Sequence, residues 1–438
     1  MNKTGMLFQV MTTIGTRMVV LFGAFLVSVI LARLLGPEGK GIITAVLVIP
    51  TLVVTIADLG IRQASAYFIG TKAYRYEDIV SSLIFLWMMT SLISIAVVSV
   101  ILALQYGGKY DWKILAACIM TIPVNLGIQY LRGIMQGRGR IGSINKVEII
   151  KTFLNFTILL LLVWLFGMGV LGAALTQLLM ALFTLGYSIK LLIGEVKIKL
   201  RYIHPLPLQL IRKGFSFAFA LFIIQMNYRV DIVILEYFTN ISEVGIYSVG
   251  TNLSELIWQL PAAVGLILFS RSANSDSAQA AVESTARLIR MVIPFLIVFG
   301  LFFWLLAPLL IGLLYGADFA ASGIVIRYLL PGILVMVIFK LIHSDLSGRG
   351  APLVSLNVSL IALAVNLVLN LLLIPRMGAI GSAIASSVSY SIAGLSFVWI
   401  YARRESIRVR DVLVLNREDW ELIKQKLAIR RFGINKIS

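Results

Sequence analysis

The stretch Met168-Gly169-Val170-Leu171-Gly172-Ala173-Ala174 recurs 209 residues later as Met377-Gly378-Ala379-Ile380-Gly381-Ser382-Ala383. Two other segments recur at similar offsets. Gly137-Arg138-Gly139 with Asn145 returns as Gly348-Arg349-Gly350 with Asn357, and Leu34–Gly41 aligns with Phe238–Gly245, an offset of 204. Internal duplication in an apolar chain is typical of transporters that move one half against the other. The repeats therefore predict a membrane transporter.

The composition places the chain in a bilayer. Hydrophobic residues make up 59% and charged residues 13% of the sequence, which is outside the usual range of soluble domains. A membrane-spanning helix needs about 20 apolar residues. Twelve such segments occur, at about 14–35, 42–68, 79–104, 114–131, 147–166, 170–192, 214–238, 244–269, 288–313, 324–346, 353–374 and 379–401. We expect an all-α integral membrane protein, with two six-helix lobes related as parallel repeats around a central cleft.

The net charge of +18 follows from topology. With the N-terminus in the cytoplasm, 28 of the 38 Lys and Arg residues fall in inner segments and five in spans. The remaining five fall in outer loops: Arg33, Lys40, Lys109, Lys113 and Arg376. This asymmetry predicts that both termini are cytoplasmic and that the basic residues do not indicate nucleic-acid binding. The predicted units are an N-terminal lobe (1–192), an inter-lobe linker (193–213), a C-terminal lobe (214–402) and a basic tail (403–438), in which Asn416 could cap a helix.

The eighth span carries a row of polar side chains. Ser248, Asn252, Glu255 and Gln259 are spaced i, i+4, i+7 and i+11, so they share one helical face. Glu255 lies about 17 Å along the helix from Val244, near the bilayer midplane. A charged residue at that depth costs about 2.5–3.5 kcal/mol on insertion scales, which favours a functional role. The row could also be a packing seam, because polar side chains join helices in lipid.

The second span has a matching polar face. It contains Thr44, Thr51, Thr55, Asp58 and Arg62, and the 204-residue offset aligns Thr51 with Glu255. We expect both faces to border one hydrated cleft between the lobes. Asp58 and Arg62 are four residues apart and are expected to pair with each other.

Other intramembrane polar residues complete the candidate set. In the seventh span Asn227 and Asp231 share one face, and Arg229 points elsewhere, either to be neutralised by a second helix or to line the cleft. Lys340 could reach the cleft or extend to the interface. The predicted cleft-lining residues are Arg229, Arg62, Lys340, Arg327, Glu255, Asn252, Gln259 and Asn227. The candidates for ion coupling are Glu255, Asp58 and Asp231.

The sequence offers no constellation for catalysis. It has two histidines, His204 and His343, and one cysteine, Cys118, without metal-ligand spacing, a phosphate loop or a nucleophile motif. We therefore predict no metal site, no cofactor and no enzymatic activity.

Several segments resemble the polysaccharide transporter family, the O-antigen and repeat-unit flippases of the multidrug/oligosaccharidyl-lipid/polysaccharide exporter superfamily. These segments are Leu31–Gly41, Asp58-Leu59-Gly60-Ile61 with Arg62, and the last two spans, Gly348–Leu395. The resemblance covers about residues 10–400.

The resemblance implies a flippase that moves a polyprenyl-diphosphate-linked oligosaccharide repeat unit to the outer leaflet of the bacterial inner membrane by alternating access. Its implied partners are the undecaprenyl-diphosphate-linked glycan, membrane lipids, and polymerase and chain-length proteins of polysaccharide biosynthesis. Two alternatives stay open: a cation-coupled multidrug antiporter on the same fold, and an intramembrane glycan-transferring enzyme, which the short outer loops disfavour.

Overall fold

The computed structural model of the chain describes residues 3–192, 203–273, 277–351, 353–417, 419 and 421. All regular structure within these residues is helical. The α-helices are α1 (Lys3–Ala57), α2 (Ile61–Gly70), α3 (Tyr76–Tyr106), α4 (Trp112–Gly137), α5 (Ile141–Leu159), α6 (Gly169–Lys190), α7 (Leu206–Phe238), α8 (Ile241–Glu255), α9 (Gln259–Ala273), α10 (Ala278–Tyr315), α11 (Ala320–Gly348), α12 (Val354–Arg404) and α13 (Val409–Leu413). A π-helical turn, Leu160–Leu165, extends α5, and a 3₁₀ turn, Leu256–Trp258, joins α8 to α9.

Nine helical segments in the described part of the chain are long and apolar enough to cross a membrane. They are Thr12–Gly70, Tyr76–Tyr106, Trp112–Gly137, Ile141–Leu165, Gly169–Lys190, Leu206–Phe238, Gln279–Tyr315, Ala317–Gly348 and Val354–Arg404. The expected all-helical, multi-pass membrane fold is therefore confirmed.

Glycines break the two longest helices. Gly36 in α1 has φ 66° and ψ −177°, and Gly378 in α12 has φ 54° and ψ −133°. Glycine adopts such positive φ values without the steric penalty that a Cβ atom imposes. Each break lets the chain reverse direction within a segment of 55 or 51 helical residues.

The sequence repeats fold into matching local structures. Gly169 and Gly378, which are equivalent in the repeat, have φ values of 55° and 54°. Gly139 and Gly350, the last residues of the two Gly-Arg-Gly motifs, have φ values of 69° and 78°. The duplication seen in the sequence is therefore also a duplication of backbone turns.

Short turns place the connections alternately at two ends of the helical bundle. We call the end with turns 71–75 and 138–140 and with Gly350 the basic end. We call the end with Gly36, turns 107–111 and 239–240, and Gly378 the opposite end.

At the opposite end, the two halves of the chain touch through backbone atoms. A Cβ atom added to Gly41 would lie 1.9 Å from the carbonyl oxygen of Ile241, and one added to Gly245 would lie 2.0 Å from that of Pro37. Gly41 and Gly245 are themselves equivalent in the 204-residue repeat. The repeated motif therefore packs against its own copy, and glycine is required on both sides.

Polar contacts strengthen the same end. The Arg33 guanidinium donates hydrogen bonds of 2.6 Å to the carbonyl oxygens of both Leu313 and Leu314. Lys109 forms a 2.5 Å ion pair with Glu236, whose carboxylate also accepts from Gln105 at 2.9 Å. Each contact joins the first half of the chain to the second.

At the basic end, the start of α7 packs on α2. Leu206 and Leu210 are fully buried in a cluster with Ile61 and neighbours from the first half. The second part of the predicted inter-lobe linker, 193–213, is helical from Leu206 onward, because α7 begins there. Pro207 fits this assignment, since proline is tolerated in the first turn of a helix. Residues 193–202 lie outside the described residues.

The beginning of the C-terminal tail packs against α10. The Asn416 Oδ1 atom accepts the Asp419 N–H at 2.8 Å, as expected for a helix cap. The buried Asp419 carboxylate accepts a 2.5 Å hydrogen bond from Arg290 of α10. The rest of the predicted tail helix lies outside the described residues, apart from residue 421.

Candidate functional site

A cavity of about 370 Å³ lies between helices from both halves of the chain. Its volume is in the lower part of the range of roughly 300–1,000 Å³ usual for small-molecule sites. The polar part of its lining comes mainly from α1, α6 and the α8–α9 segment. Much of the apolar part comes from α1 between Leu21 and Leu31, with Leu159 of α5. The polar residues that line it are Ser28, Lys40, Thr44, Gln177, Asn252, Glu255, Gln259 and Tyr315.

The position of Lys40 differs from the sequence prediction, which placed it in an outer loop. It lies in the helical part of α1 after Gly36, is 7% exposed and lines the cavity. Among the residues that the structure describes, no carboxylate forms an ion pair with its ammonium group. Burying a cation in apolar surroundings with no carboxylate beside it costs free energy, unless a ligand supplies the negative charge. Lys40 therefore gives the cavity the character of an anion site.

The polar row of the eighth span is largely at the cavity. Asn252, Glu255 and Gln259 line it, whereas Ser248 is buried and donates to the carbonyl of Gly245. The 3₁₀ turn follows Glu255 and tightens the helix in the middle of this row. A mid-helix 3₁₀ turn of this kind often marks a functional hinge.

On the facing helix, only part of the threonine row reaches the cavity. Thr44 lines it and donates to the carbonyl of Lys40 at 2.8 Å. Thr51 and Thr55 donate to carbonyls of their own helix and do not belong to the cavity lining. The polar face of the second span is therefore divided between the site and local helix contacts.

Arg229 is neutralised by a second helix. Its two terminal nitrogens donate to the two carboxylate oxygens of Glu255, at 3.2 and 2.9 Å. The side chains are 27% and 18% exposed. This bidentate geometry is the strong form of the Arg–carboxylate pair, so Glu255 adds little net negative charge to the cavity.

The other basic candidates lie outside the cavity lining. The Lys340 ammonium is 4.2 Å from the ring centre of Trp258, 4.9 Å from that of Tyr228, and donates to the Tyr228 hydroxyl at 3.0 Å. Arg327 donates to the carbonyl of Trp304 and stacks on its ring at 4.6 Å. Both cations are stabilised by aromatic faces in place of a carboxylate.

Arg62 and Asp58 do not form the expected ion pair. The Arg62 guanidinium is directed to Gln136 Oε1 at 3.4 Å, near the basic end. Asp58 is 8% exposed, and its Oδ1 atom has no hydrogen-bond partner among the described residues. Leu59 (φ 47°, a strained conformation for a residue with a Cβ atom) and Gly60 (φ 65°) separate α1 from α2 and direct the two side chains differently from a continuous helix.

Asp231 and Asn227 lie on one face of α7, as expected, but inside the second half of the chain. The Asp231 carboxylate is 1% exposed and accepts from the hydroxyls of Tyr247 and Ser386, the latter at 3.1 Å. Asn227 accepts from Ser389 at 3.0 Å.

Asn366 and Asn370 extend the Asp231 cluster. Asn366 donates to Ser386 at 3.3 Å, and Asn370 donates to Asn366 at 2.9 Å. The Asn370 Oδ1 atom is buried without a hydrogen-bond partner among the described residues. The cluster is thus rich in oxygen atoms and has one free acceptor.

The described residues contain no group of three or more His, Cys, Asp or Glu side chains arranged to hold a metal ion. The oxygen cluster around Asp231 contains one carboxylate, so it differs from a multivalent metal site, which collects several charged ligands.

Comparison with known proteins supports the transporter assignment. The model of the family described as "Polysaccharide biosynthesis protein" matches residues 7–266, more than half of the chain. The chain belongs to this family. Its relatives include the "Probable low-salt glycan biosynthesis flippase Agl15" of Haloferax volcanii, 24% identical over 399 residues, which cover 85% of this chain and 79% of the relative. The "Uncharacterized membrane protein MJ1068" of Methanocaldococcus jannaschii is 22% identical over 410 residues, which cover 86% of this chain and 80% of the relative.

Solved structures show the same fold. "Lipid II flippase MurJ, inward closed conformation" superposes with a TM-score of 0.71 at 15% identity, covering 98% of this chain and 94% of that one. An inward-facing multidrug resistance MATE family transporter of the MOP superfamily superposes with a TM-score of 0.68 at 16% identity, and the match covers 87% of this chain and 93% of that one. The sequence identities are too low to assign a substrate to this chain by similarity. The structural superpositions confirm the fold that flippases and multidrug transporters share.

Four polar cavity residues were not predicted from the sequence to line the site: Ser28, Lys40, Gln177 and Tyr315. A signal for Lys40 was present, because Gly36 followed by Pro37 is a helix break followed by a residue favoured at the first helical position. No local signal marks Gln177 or Tyr315, whose roles depend on how distant helices pack.

Proposed function

We propose that this protein is a flippase for a polyprenyl-diphosphate-linked oligosaccharide repeat unit, which it moves from the inner to the outer leaflet of the cytoplasmic membrane by alternating access. The observation that carries the proposal is Lys40, a buried cation in a polar cavity between the two halves that has no carboxylate partner among the residues the structure describes. The diphosphate supplies the missing negative charge. The amides of Gln177, Asn252 and Gln259 supply donors and acceptors for sugar hydroxyls.

The proposed topology has twelve spans in two lobes. The nine apolar segments become eleven when the breaks at Gly36 and Gly378 each divide one segment. The helical stretch from Ile241 to Ala273, which is not among the nine, supplies the twelfth. The recurring turns at Gly169 and Gly378 support two equivalent six-helix units.

The proposed orientation places the basic end and both termini in the cytoplasm. Lys40 lines the cavity and is therefore no longer counted with the outer loops. The basic residues that remain at the opposite end are Arg33, Lys109, Lys113 and Arg376, so the excess of basic residues on the inner side is larger than predicted. The relatives named above come from archaea. A bacterial source, an undecaprenyl carrier and polymerase or chain-length partners remain predictions.

The membrane potential favours this direction of transport. Moving one negative charge outward across an inside-negative membrane yields about 2.3 kcal/mol per 100 mV, so the two charges of a diphosphate diester yield roughly 4–5 kcal/mol. The protein then has to lower the barrier to crossing, and Lys40 does so by pairing with the diphosphate in the cavity.

Alternating access requires the two ends to open in turn. At the opposite end the halves meet at Gly41 and Gly245 and at the Lys109–Glu236 ion pair. At the basic end they meet at Gly60 and Gly214, where an added Cβ at Gly214 would lie 2.4 Å from the carbonyl oxygen of Leu59. The glycine contacts at both ends bring backbone against backbone, so those contacts can form and break without rearranging side chains.

Among the predicted ion-coupling residues, the geometry favours Asp231. Glu255 is occupied by Arg229, and Asp58 is at the basic end beside a strained turn. Asp231 is buried among hydroxyl and amide oxygens, including the free Asn370 Oδ1. We propose that a proton or a monovalent cation binds there and couples to transport.

The alternative function, a cation-coupled multidrug antiporter, is favoured by the structural similarity to MATE transporters. The cavity argues against it, since its carboxylate is paired with Arg229 and its unpaired charge is positive. Such a cavity attracts anions more than cationic drugs.

Removing the charge of Lys40 tests the proposal. Lys40→Gln is expected to reduce translocation of the lipid-linked repeat unit in proteoliposomes by about 10- to 100-fold, because a charge pair at close range contributes up to about 4 kcal/mol at an effective dielectric constant of about 20. Lys40→Arg should retain most of the activity. Lys113→Gln, which changes an exposed lysine outside the cavity, is the matched control.

Two results would contradict the proposal. One is Lys40→Gln translocation equal to that of the control. The other is efflux of cationic dyes by the purified protein with no translocation of the lipid-linked glycan.

A further inference from the structure

A second, larger groove lies at the basic end, apart from the central cavity. Its volume is about 460 Å³. One wall is the start of α7, with Arg212, Lys213, Ser216 and Phe217, and the other is the turn between α11 and α12, with Gly350, Ala351, Leu353 and Val354.

The charge of the groove is positive. Arg212 and Lys213 line it, and none of the lining residues that the structure describes carries a carboxylate. The Lys213 ammonium lies 4.3 Å from the ring centre of Tyr67, an aromatic contact that leaves its charge uncompensated. Arg349, next to the groove, does not add to this charge, because it is paired with Asp345 at 2.7 Å and Glu405 at 3.0 Å.

The same pairing anchors the residue that precedes the second wall. Arg349 is tied to the ends of α11 and α12, and Asp345 also accepts hydrogen bonds from Ser272 at 2.5 Å and Tyr401 at 2.9 Å. Gly350 has φ 78°, and a Cβ atom added to it would meet no atom within 4 Å. The groove is therefore open at Gly350.

Both walls of the groove also carry an exposed apolar side chain. Phe217 is 41% exposed and Leu353 is 48% exposed. The helix α7 has 33 residues and is about 50 Å long at 1.5 Å per residue, whereas the hydrocarbon core is about 30 Å thick. The first turns of α7 therefore lie at the depth of the lipid headgroups, with Phe217 deeper than Arg212.

We propose that this groove binds the diphosphate of the lipid-linked substrate in the inner leaflet, before the substrate enters the central cavity. Two adjacent cations match the charge of a diphosphate, Ser216 adds a hydroxyl donor, and the exposed apolar side chains accept the first isoprene units of the carrier. The proposal rests on the proposed function, which supplies the substrate class and the orientation.

Binding of farnesyl diphosphate to the full-length protein in nanodiscs tests the groove. The double variant Arg212→Gln/Lys213→Gln should weaken binding by about tenfold or more, because it removes two charge-assisted contacts. The control variant Lys190→Gln/Arg403→Gln removes two exposed basic residues of the same end that do not line the groove, and it should change affinity by less than about twofold. Tyr67→Leu, which removes the aromatic contact but keeps both charges, should retain binding.

Three results would overturn the proposal. Equal weakening by the control variant would mean that the whole basic surface attracts the ligand. Equally effective competition by phosphatidylglycerol would mean a general site for anionic phospholipids. Loss of all farnesyl diphosphate binding in Lys40→Gln, with full binding in the groove variant, would mean that the ligand binds only in the central cavity.

Failure of the groove and failure of the proposed function give different results. If the groove variant translocates substrate with an unchanged apparent affinity, the groove plays no part in loading although the flippase function stands. If the wild-type protein binds farnesyl diphosphate in the groove but translocates no lipid-linked glycan, the proposed function fails.

Discussion

The contact between Gly41 and Gly245 predicts that one methyl group will shift the conformational equilibrium of the protein. A Cβ atom at Gly41 would lie 1.9 Å from the Ile241 carbonyl oxygen, an atom of the helix backbone that cannot turn aside. Gly41→Ala therefore forces the two helices apart by roughly 1 Å or more when the opposite end is closed. When that end is open, the methyl group has no such clash.

The magnitude follows from the cost of overpacking. Inserting a methyl group into a close contact typically costs about 1–3 kcal/mol. If the cost applies only to the closed opposite end, the ratio of open to closed molecules rises roughly 5- to 150-fold. Gly214→Ala acts at the basic end, where its Cβ would lie 2.4 Å from the Leu59 carbonyl oxygen, so it should shift the equilibrium in the other direction.

Cysteine accessibility measures this shift. The reporter is Asn252→Cys, which lines the cavity, in a background in which the buried Cys118 is replaced by Ala. A membrane-impermeant maleimide added from the side of the opposite end should react faster in Gly41→Ala than in the unsubstituted background. In Gly214→Ala it should react more slowly from that side and faster from the side of the basic end.

The matched control is Gly186→Ala, a helical glycine of α6 with no atom within 4 Å of an added Cβ. Labelling in Gly41→Ala no faster than in this control, with both proteins folded, would refute the reasoning. So would faster labelling from one and the same side in Gly41→Ala and Gly214→Ala.

Three further predictions concern single interactions. Arg229→Met should lower the free energy of unfolding in detergent by roughly 3 kcal/mol because it leaves the Glu255 carboxylate unpaired, and Arg229→Met/Glu255→Met should recover most of the loss; equal stability of the single and double variants would contradict this. Asp231→Asn should abolish the dependence of translocation on a sodium or proton gradient while substrate affinity stays within about twofold; an unchanged dependence would exclude Asp231 as the coupling site. Burial opposes the ionisation of Asp419, but hydrogen bonds and the charge of Arg290 hold the pKa of its carboxyl below the usual value. The Arg290–Asp419 contact of the tail should therefore be intact at neutral pH and be lost as the pH falls below about 4. Hydrogen exchange of Val409–Leu413 corrected for the intrinsic rate should then rise at low pH, and in Asp419→Asn it should be high at every pH.

The repeat was visible in the sequence because the turns that define it depend on local sterics. Gly378, Gly139 and Gly350 adopt positive φ values that any other residue would adopt only with strain, so their recurrence in the sequence reports recurrence in the backbone. The apolar segments likewise predicted a multi-pass helical fold, because a bilayer requires long helices with satisfied backbone groups. The i, i+4, i+7, i+11 spacing brought Asn252, Glu255 and Gln259 to one cavity wall, since helical periodicity alone fixes a shared face.

Which residues carry an unpaired charge was decided by tertiary structure alone. The sequence left two possibilities open for Arg229, neutralisation by a second helix or a position in the cleft, and the structure pairs it with Glu255 on another helix. Lys40, which was counted with the loops, lines the cavity without a carboxylate partner among the described residues. Periodicity states which side chains share a helical face, but it contains no information on which other helix that face meets. The pairing of charges depends on the packing of helices far apart in the chain, and in a membrane protein this packing determines which side chains remain for the substrate.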